Sequence, residues 1–325
     1  MISVRRTTEQ SILAIADAVK RDGGDGAASS HWRNEGGLSD HPMVQDPLNF
    51  DMRTADSTAF GPLGGISAKT KLHHRIVHWL LQIPLRALGI GLSGFAGADK
   101  IAAKIAHAQG RAYDKDLLRH TLTLALLQRH LGGALEHGTI AVIGDGFANM
   151  SALLLSTHPN AKVILINLHK SLLFDCVFLR KALPDVNISL VQTEGEIADA
   201  LAASDVQCIA VAAENAHLLG AAPITLGINI LSMMEMDPPV TAAYFNLLRR
   251  APSDKTAFYC CNRIEKTLPD GTVTRFDTYP WDADDEIMVD AMCHWTRLAY
   301  HGRPPFYYLS NPVRHRLVYL KKSDA

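Results

Sequence analysis

The segment GDGFAN (144–149) joins the apolar run TIAVI to a helical pattern, and it is well placed to hold a ligand. Its glycines, Gly144 and Gly146, let the backbone turn tightly and let a ligand approach the main chain. The helix behind them offers free N–H groups, and open α/β sheets bind ligands at the carboxyl ends of their strands. The turn therefore indicates a ligand site, although many α/β proteins use such a turn only to pack a helix on a strand.

The class of ligand depends on the end of the next apolar run, KVILIN (162–167). Dinucleotide-binding proteins usually show G-x-G-x-x-G and an acidic residue at the end of their second strand. Here Ala148 or Asn149 stands in place of the third glycine, and the run ends in Asn167. Asn167 can hydrogen-bond a ribose hydroxyl, or it can cap the helix that begins near Lys170. A nicotinamide-dependent oxidoreductase is disfavoured by this pattern but stays an alternative.

Polar side chains also follow two later apolar runs, at the points where the predicted strands end. They are Asn229, Ser232 and Glu235 in and after ITLGINIL (224–231), and Asn262 and Arg263 after AFYCC (257–261). A buried polar group costs free energy unless it is paired, so packing alone does not explain them. We expect these strand ends to converge with the turn at Asp145 around one pocket. The alternative is that Ser232 or Asp237 only caps the following helix.

The elements that would position these residues form an α/β pattern. From Thr139 onward, short apolar runs alternate with helical patterns, which is typical of βαβ units and a mainly parallel sheet. The predicted strands are 139–144, 162–167, 188–192, 208–214, 224–231, 257–262 and 316–322. The predicted helices among them are 150–156, 170–182, 196–203 and 239–250, and a turn at 269–271 predicts a hairpin.

The first 135 residues follow a different pattern. A helix to about residue 20, a Gly- and Ser-rich loop over 22–65 and helices near 67–89, 97–109 and 114–132 are predicted, with Pro84 ending or kinking the first of these three. We therefore expect an N-terminal arm and helical segment, 1–135, packed against or covering an α/β domain, 136–325. The loop could act as a lid, and the apolar stretch 76–92 could serve a homodimer.

Composition excludes several other classes of protein. The 32 basic and 33 acidic residues leave no overall cationic field, so nucleic acid is not an expected partner. His78, Gln82, Pro84 and Arg86 interrupt the longest apolar stretch, which argues against a transmembrane segment. The five scattered cysteines predict reduced thiols and a cytoplasmic location. The histidines at 73, 74 and 78 lack neighbouring acidic or cysteine ligands, so no metal site is predicted.

Several of these segments together resemble the sugar O-methyltransferase family. NILSMMEM (229–236) is similar to the family's strand end N-x-x-S-x-x-E-M, and Tyr244-Phe245 to its aromatic pair. FYCCNR (258–263) is similar to its strand ending in Asn-Arg, and Tyr279-Pro280-Trp281 to its aromatic-Pro-Trp element. The resemblance covers residues 113–281, and SHWRN (30–34) and AFG (59–61) show weaker similarity to the family.

The resemblance implies a Rossmann-like class I methyltransferase sheet of seven strands, mainly parallel with the last strand antiparallel, and S-adenosylmethionine as cofactor. The implied cofactor-binding residues are Gly144, Asp145 and Gly146 beside the methionine part, Asn167 at the ribose, Glu214 and Asn215 at the adenine, and Asn229 and Ser232 at the sulfonium. Asn149, at the end of the turn, is also predicted to bind the cofactor. Val142 stands where such enzymes commonly have an acid, and Asn167 replaces the ribose carboxylate. These departures keep a non-catalytic methyltransferase-like scaffold as a second alternative.

Methyl transfer to a sugar hydroxyl requires an in-line approach of the oxygen and removal of its proton. Glu235 is the first candidate for the base and His217 the second, although a Glu near a helix start is also a common partner of the helix dipole. Four residues at or after strand ends are predicted to contact the sugar acceptor, by stacking or by hydrogen bonds: Tyr259, Asn262, Arg263 and Trp281.

Overall fold

An eight-stranded sheet runs through the centre of the computed structural model, which describes residues 6–22, 29, 41–51, 72–299 and 306–323. The segments at 30–34 and 59–61, and most of the predicted loop over 22–65, lie outside the described residues.

Most of the predicted strands and helices begin and end within a few residues of their predicted positions. The strands are β1 Thr139–Ile143, β2 Lys162–Asn167, β3 Ile188–Val191, β4 Cys208–Ala212, β5 Ile224–Ile230, β6 Thr256–Arg263, β7 Glu265–Thr267, β8 Val273–Arg275, β9 Glu286–Met292, β10 Leu298–Ala299, β11 Tyr307–Tyr308 and β12 Val313–Leu320. The helices are α1 Thr8–Asp22, α2 Pro42–Gln45, α3 Leu72–Leu81, α4 Ile83–Ala87, α5 Phe95–Ala108, α6 Lys115–Leu131, α7 Asn149–Thr157, α8 His169–Ala182, α9 Glu194–Ala202, α10 Pro238–Arg250 and α11 His294–Arg297.

The order of the strands across the sheet is β3-β4-β2-β1-β5-β6-β12-β9. The first six of these strands are parallel to one another, and β12 is antiparallel to both β6 and β9. The last strand of the chain is therefore the antiparallel one, as predicted. The predicted number of seven strands is wrong, because β9 was missed. It lies at the sheet edge with its residues exposed or half-buried, so it lacks a continuous apolar run.

Helices cover both faces of the sheet, and for this reason the strands appear in the sequence as continuous apolar runs. In β1, Ile140 and Val142 pack into the core beneath α1, α5, α6, α7 and α8, whereas Ala141 and Ile143 pack beneath α9 and α10. The helices of the N-terminal segment thus share a continuous core with the α/β part. The hairpin predicted at 269–271 is present as β7 and β8.

A buried arginine ties α6 to the glycine turn. Helix α6 begins at the cap residue Asp114, whose carboxylate accepts a hydrogen bond from the Leu117 N–H at 3.0 Å. The buried Arg111 guanidinium donates to Gln109 Oε1 at 2.6 Å and also to the side-chain oxygen of Asn149, at the first residue of α7. Two helices from different parts of the chain are therefore held at one edge of the sheet.

The apolar stretch 76–92 forms two helices instead of one. Helix α3 ends at Leu81, and Pro84 lies in the first turn of α4, as its fixed φ angle predicts. About half of the surface of Ile76 and of Trp79 is exposed. Within the described ranges, none of the helices combines the length and apolar character that crossing a bilayer demands. The homodimer stays a hypothesis, and the side chains of His73, His74 and His78 lie outside what the structure describes.

All five cysteines are buried and free, as predicted for reduced thiols.

Candidate functional site

The turn after β1 has a backbone that only glycine adopts readily. Gly144 has φ +73° and Gly146 has φ +90°. A Cβ atom on Gly144 would lie 2.7 Å from Ser232 Cβ and closer still to the Ser232 hydroxyl. The absence of a side chain at Gly144 is therefore required both by the turn and by the close approach of the chain that follows β5.

The N-terminus of α7 behind this turn is already capped by carboxylates. Asp145 accepts hydrogen bonds from the N–H groups of Met150 at 3.0 Å and Ser151 at 2.8 Å. Asp175 accepts one from the Ala148 N–H at 2.9 Å. Asp145 is only 8% exposed, so the structure makes it a helix cap rather than a contact for the methionine part of a cofactor. A pyrophosphate placed here would meet two carboxylates instead of free N–H groups, which opposes the oxidoreductase alternative.

Asn167 faces the same buried acid. Its amide donates to Asp175 Oδ2 at 2.8 Å, and its own oxygen accepts from the Leu168 N–H at 3.0 Å. Burial, with the Asp145 carboxylate adding to it, raises the pKa of Asp175 well above the ordinary value for a carboxyl group. The Asn167 side chain is thus committed within the protein, although the residue still lines the cavity described below.

The strand ends converge as expected, and they do so through a hydrogen-bonded clamp. Asn229 Nδ2 donates to Ile143 O at 2.9 Å and to Ser232 Oγ at 2.6 Å. Asn262 Nδ2 donates to Asn229 Oδ1 at 2.8 Å, and its own oxygen accepts from the Met234 N–H at 3.2 Å. Asn229 and Asn262 are fully buried. The structure therefore corrects their predicted contacts with cofactor and sugar: they join β1, β5 and β6 and hold Ser232 in place.

A cavity of about 870 Å³ opens at this edge of the sheet. Six of the residues predicted for the site line it: Gly144, Asn167, Glu214, His217, Ser232 and Glu235. Apolar residues that the sequence analysis missed complete its walls, at the ends of β2 and β4 and along one face of α10: Ile166, Leu168, Ala213, Ala216, Val240, Ala243, Tyr244 and Leu247. The apolar face of the predicted helix 239–250 could have indicated that α10 forms part of the cavity wall.

Three acidic residues, Glu214, Glu235 and Asp237, and one arginine, Arg250, line this cavity, which we call the first cavity. Glu235 is ion-paired with Lys266, with 2.6 Å between Oε1 and Nζ. Glu214 extends toward the loop after β2, where its Oε2 lies 3.8 Å from His169 Nδ1. His217 is exposed, and its Nδ1 lies 3.1 Å from the main-chain oxygen of Glu214. A cavity with this lining suits an uncharged or cationic ligand with an apolar ring.

Four other predicted residues are not among those lining the first cavity. Tyr259 is fully buried with its hydroxyl 3.1 Å from His315 Nδ1, so the expectation that it stacks on a sugar is wrong. Trp281 packs its ring against an aromatic cluster and donates Nε1–H to the main-chain oxygen of Phe276 at 2.9 Å. Asn215 is half-buried on the 3₁₀ helix after β4. Arg263 lines a second cavity, of about 600 Å³.

Asn149 also turns out differently from the prediction. It is fully buried, and both ends of its amide are used, since it accepts from Arg111 and donates to Asp116 Oδ2 at 3.0 Å. Its predicted contact with a cofactor is therefore wrong, and it links α7 to α6 instead. Val142, at the position where an acid was expected, is buried in the core of β1.

No known family model matches the chain, and no curated protein matches it. Among solved structures, the pyocyanin biosynthetic protein PhzM is similar, with 10% identity and a TM-score of 0.36, over 63% of this chain and 57% of PhzM. An arsenic(III) S-adenosylmethionine methyltransferase from Chlamydomonas reinhardtii is 10% identical over 59% of this chain and 66% of its own length, with a TM-score of 0.36.

A third similar structure is the 1,6-didemethyltoxoflavin-N1-methyltransferase of Burkholderia thailandensis, whose structure holds S-adenosylhomocysteine. It is 10% identical over 78% of this chain and 92% of its own length, with a TM-score of 0.37. Compared with PhzM, the chain spans less than two thirds of that protein's length. Its own sheet is mainly parallel with the last strand of the chain antiparallel, the Rossmann-like arrangement that the resemblance implied.

Proposed function

We propose that the protein transfers a methyl group from S-adenosylmethionine to a hydroxyl group of a sugar. The observation that carries the donor is the first cavity, which opens over the Gly144 turn and is lined by Ser232, acidic groups and apolar side chains. The sugar is inferred from the resemblance of residues 229–236 and 258–263 to the sugar O-methyltransferase family.

The cavity fits the proposed donor in size and in character. Its volume of about 870 Å³ lies within the usual range for cofactor sites. The missing Cβ at Gly144 leaves the main chain open to close approach, and the carboxylates of Glu214 and Glu235 complement a sulfonium charge. Glu214 takes the role of ribose partner, since it reaches toward the end of β2 and the Asn167 amide is already bonded to Asp175.

When bound, S-adenosylmethionine supplies an electrophilic methyl group, which bonds to the hydroxyl oxygen as the carbon–sulfur bond breaks and its electron pair stays on sulfur. The chain has to orient the hydroxyl and take up its proton. Glu235 is the proposed base, and His217 is the second candidate. Lys266 donates to Glu235 Oε1 at 2.6 Å and holds the carboxylate in one position.

Calorimetric titration of the purified protein with S-adenosylhomocysteine and with NADH tests the donor. Binding of the first supports the proposal, binding of NADH alone would establish the oxidoreductase alternative, and binding of neither would favour the scaffold. Glu214→Gln should weaken binding of S-adenosylhomocysteine at least about 10-fold by removing a charged acceptor. The matched control is Glu265→Gln, in an exposed ion pair on the β7–β8 hairpin, which should leave that affinity unchanged.

The base is tested by turnover. Glu235→Gln should lower the rate of methyl transfer by about 10²- to 10⁴-fold while the affinity for S-adenosylhomocysteine is retained. If Glu235→Gln turns over at the rate of the parent protein and His217→Gln does not, His217 is the base. If neither substitution slows transfer, both assignments are withdrawn.

A further inference from the structure

The second cavity, of about 600 Å³, and the first cavity are lined by consecutive residues at the end of β5. Leu231 lines the second cavity, and the next residue, Ser232, lines the first. Leu231 has φ +58°, a conformation that is costly for a residue with a side chain, so the surrounding structure holds this junction in a fixed geometry. The two cavities therefore share the Leu231–Ser232 segment as part of their walls.

Cationic side chains from two separate elements line the second cavity. Lys115 and Arg119 come from α6, and Arg263 comes from the end of β6. The two acids that also line it are already compensated. Asp116 is paired with Arg119 at 2.6 Å, and Asp114 lies 3.3 Å from the buried Arg111 guanidinium. The lining therefore holds three cations, Lys115, Arg119 and Arg263, against two acids, so its net charge is positive.

The hydrogen-bonding groups of these cations are not all used by the protein. The Arg263 guanidinium is half-buried and forms no hydrogen bond or ion pair with any residue that the structure describes. The Arg119 Nε is buried without a partner among the described residues, and the Lys115 ammonium donates to a main-chain oxygen, Thr296 O, at 3.0 Å. Burial, with the nearby Arg119 charge adding to it, lowers the pKa of Lys115 to about 8.

We propose that the second cavity binds an anionic group of the acceptor, a carboxylate or a phosphate, which Arg263, Arg119 and Lys115 hold while the reacting hydroxyl lies at the Leu231–Ser232 junction. The planar guanidinium of Arg263 matches the geometry of either oxyanion. This substrate class rests on the proposed methyl transfer. It makes the acceptor an acidic or phosphorylated sugar instead of a neutral one.

The experiment compares sugars that share one ring and differ in charge. Glucose, glucuronate and glucose 1-phosphate, together with inorganic phosphate, are titrated calorimetrically into the full-length protein in the presence of saturating S-adenosylhomocysteine. We expect at least one charged probe to bind at least 10-fold more tightly than glucose, and the comparison of glucuronate with glucose 1-phosphate identifies which anion is preferred. Arg263→Gln should reduce that preference by about 10- to 100-fold.

The matched control is Arg275→Gln, on the exposed β7–β8 hairpin, which should keep the preference for the charged probe. Equal binding of glucose and the charged probes, no binding of any charged probe, or equal effects of Arg263→Gln and Arg275→Gln would overturn the anion site. The affinity for S-adenosylhomocysteine, measured in the same samples without sugar, separates the two proposals. Its loss alone removes the methyl donor and leaves the anion preference as a property of the second cavity.

Discussion

Replacement of Gly144 by alanine should destabilise the protein through two separable effects. A left-handed backbone costs a residue with a side chain about 1–2 kcal/mol. The new Cβ would also lie 2.7 Å from Ser232 Cβ, an overlap that we expect to cost about 1–3 kcal/mol, as overpacking of a core does. The combined loss of about 2–5 kcal/mol in the free energy of unfolding is measured by urea denaturation.

Gly146→Ala is the matched control, because Gly146 has φ +90° and a Cβ there would meet no atom within 4 Å. It should lose only the backbone contribution. A double-mutant cycle isolates the overlap: Ser232→Gly in the Gly144→Ala background should recover part of the loss, with a coupling of about 0.5–3 kcal/mol. If the two alanine variants lose equal stability, or if the effects of Gly144→Ala and Ser232→Gly simply add, the close approach of these two residues does not govern the turn.

Two further predictions concern the polar residues around this turn. Asp145→Ala should cost about 1–2 kcal/mol, because it removes the cap of α7; urea denaturation checks this, and unchanged stability would contradict the capping role. Burial lowers the pKa of His120 to about 4, although the Asp116 carboxylate 4.0 Å away opposes the shift. The unfolded chain therefore takes up this proton at a higher pH than the folded protein, and stability should fall by up to about 1.4 kcal/mol per pH unit as pH drops from about 6.5 to 4. His120→Gln should flatten this part of the unfolding free energy against pH, and an unchanged slope would assign the acid sensitivity to other groups.

The order of elements could be predicted because the sheet is covered on both faces. A strand that is buried on both sides must be apolar throughout, so β1, β2 and β5 stand out from the helices between them. Strand β9 was not predicted from the sequence, because it pairs with β12 on one side only and exposed positions interrupt its apolar residues. The start of β12 was misplaced for a related reason: two polar residues, Arg314 and His315, follow Val313, so no apolar run marks where the strand begins.

The candidate site was predicted in part because polar residues at strand ends are conspicuous in a sequence, whereas their partners are not. Ser232 and Glu235 line the first cavity, but Asn229 and Asn262 bond to each other instead. Nothing in the spacing of two asparagines 33 positions apart distinguishes a ligand contact from a clamp, because the distinction depends on which strands become neighbours. The charged residues at the start of α6 were likewise visible as sequence, but only the folded chain brings them to Arg263.

The replacement of the expected acid at position 167 follows from the buried neighbour of that residue. Asn167 Nδ2 lies 2.8 Å from Asp175 Oδ2, and Asp175 in turn holds the Ala148 N–H within the glycine turn. A carboxyl group at position 167 would face the Asp175 carboxyl at hydrogen-bond distance in a buried setting, where the two groups could not both ionise. An amide is therefore the side chain that allows Asp175 to support the turn, and any carboxylate for a ribose has to come from another strand end. Glu214, which follows β4 and whose Oε2 lies 3.8 Å from His169 Nδ1, is our proposed source of that carboxylate.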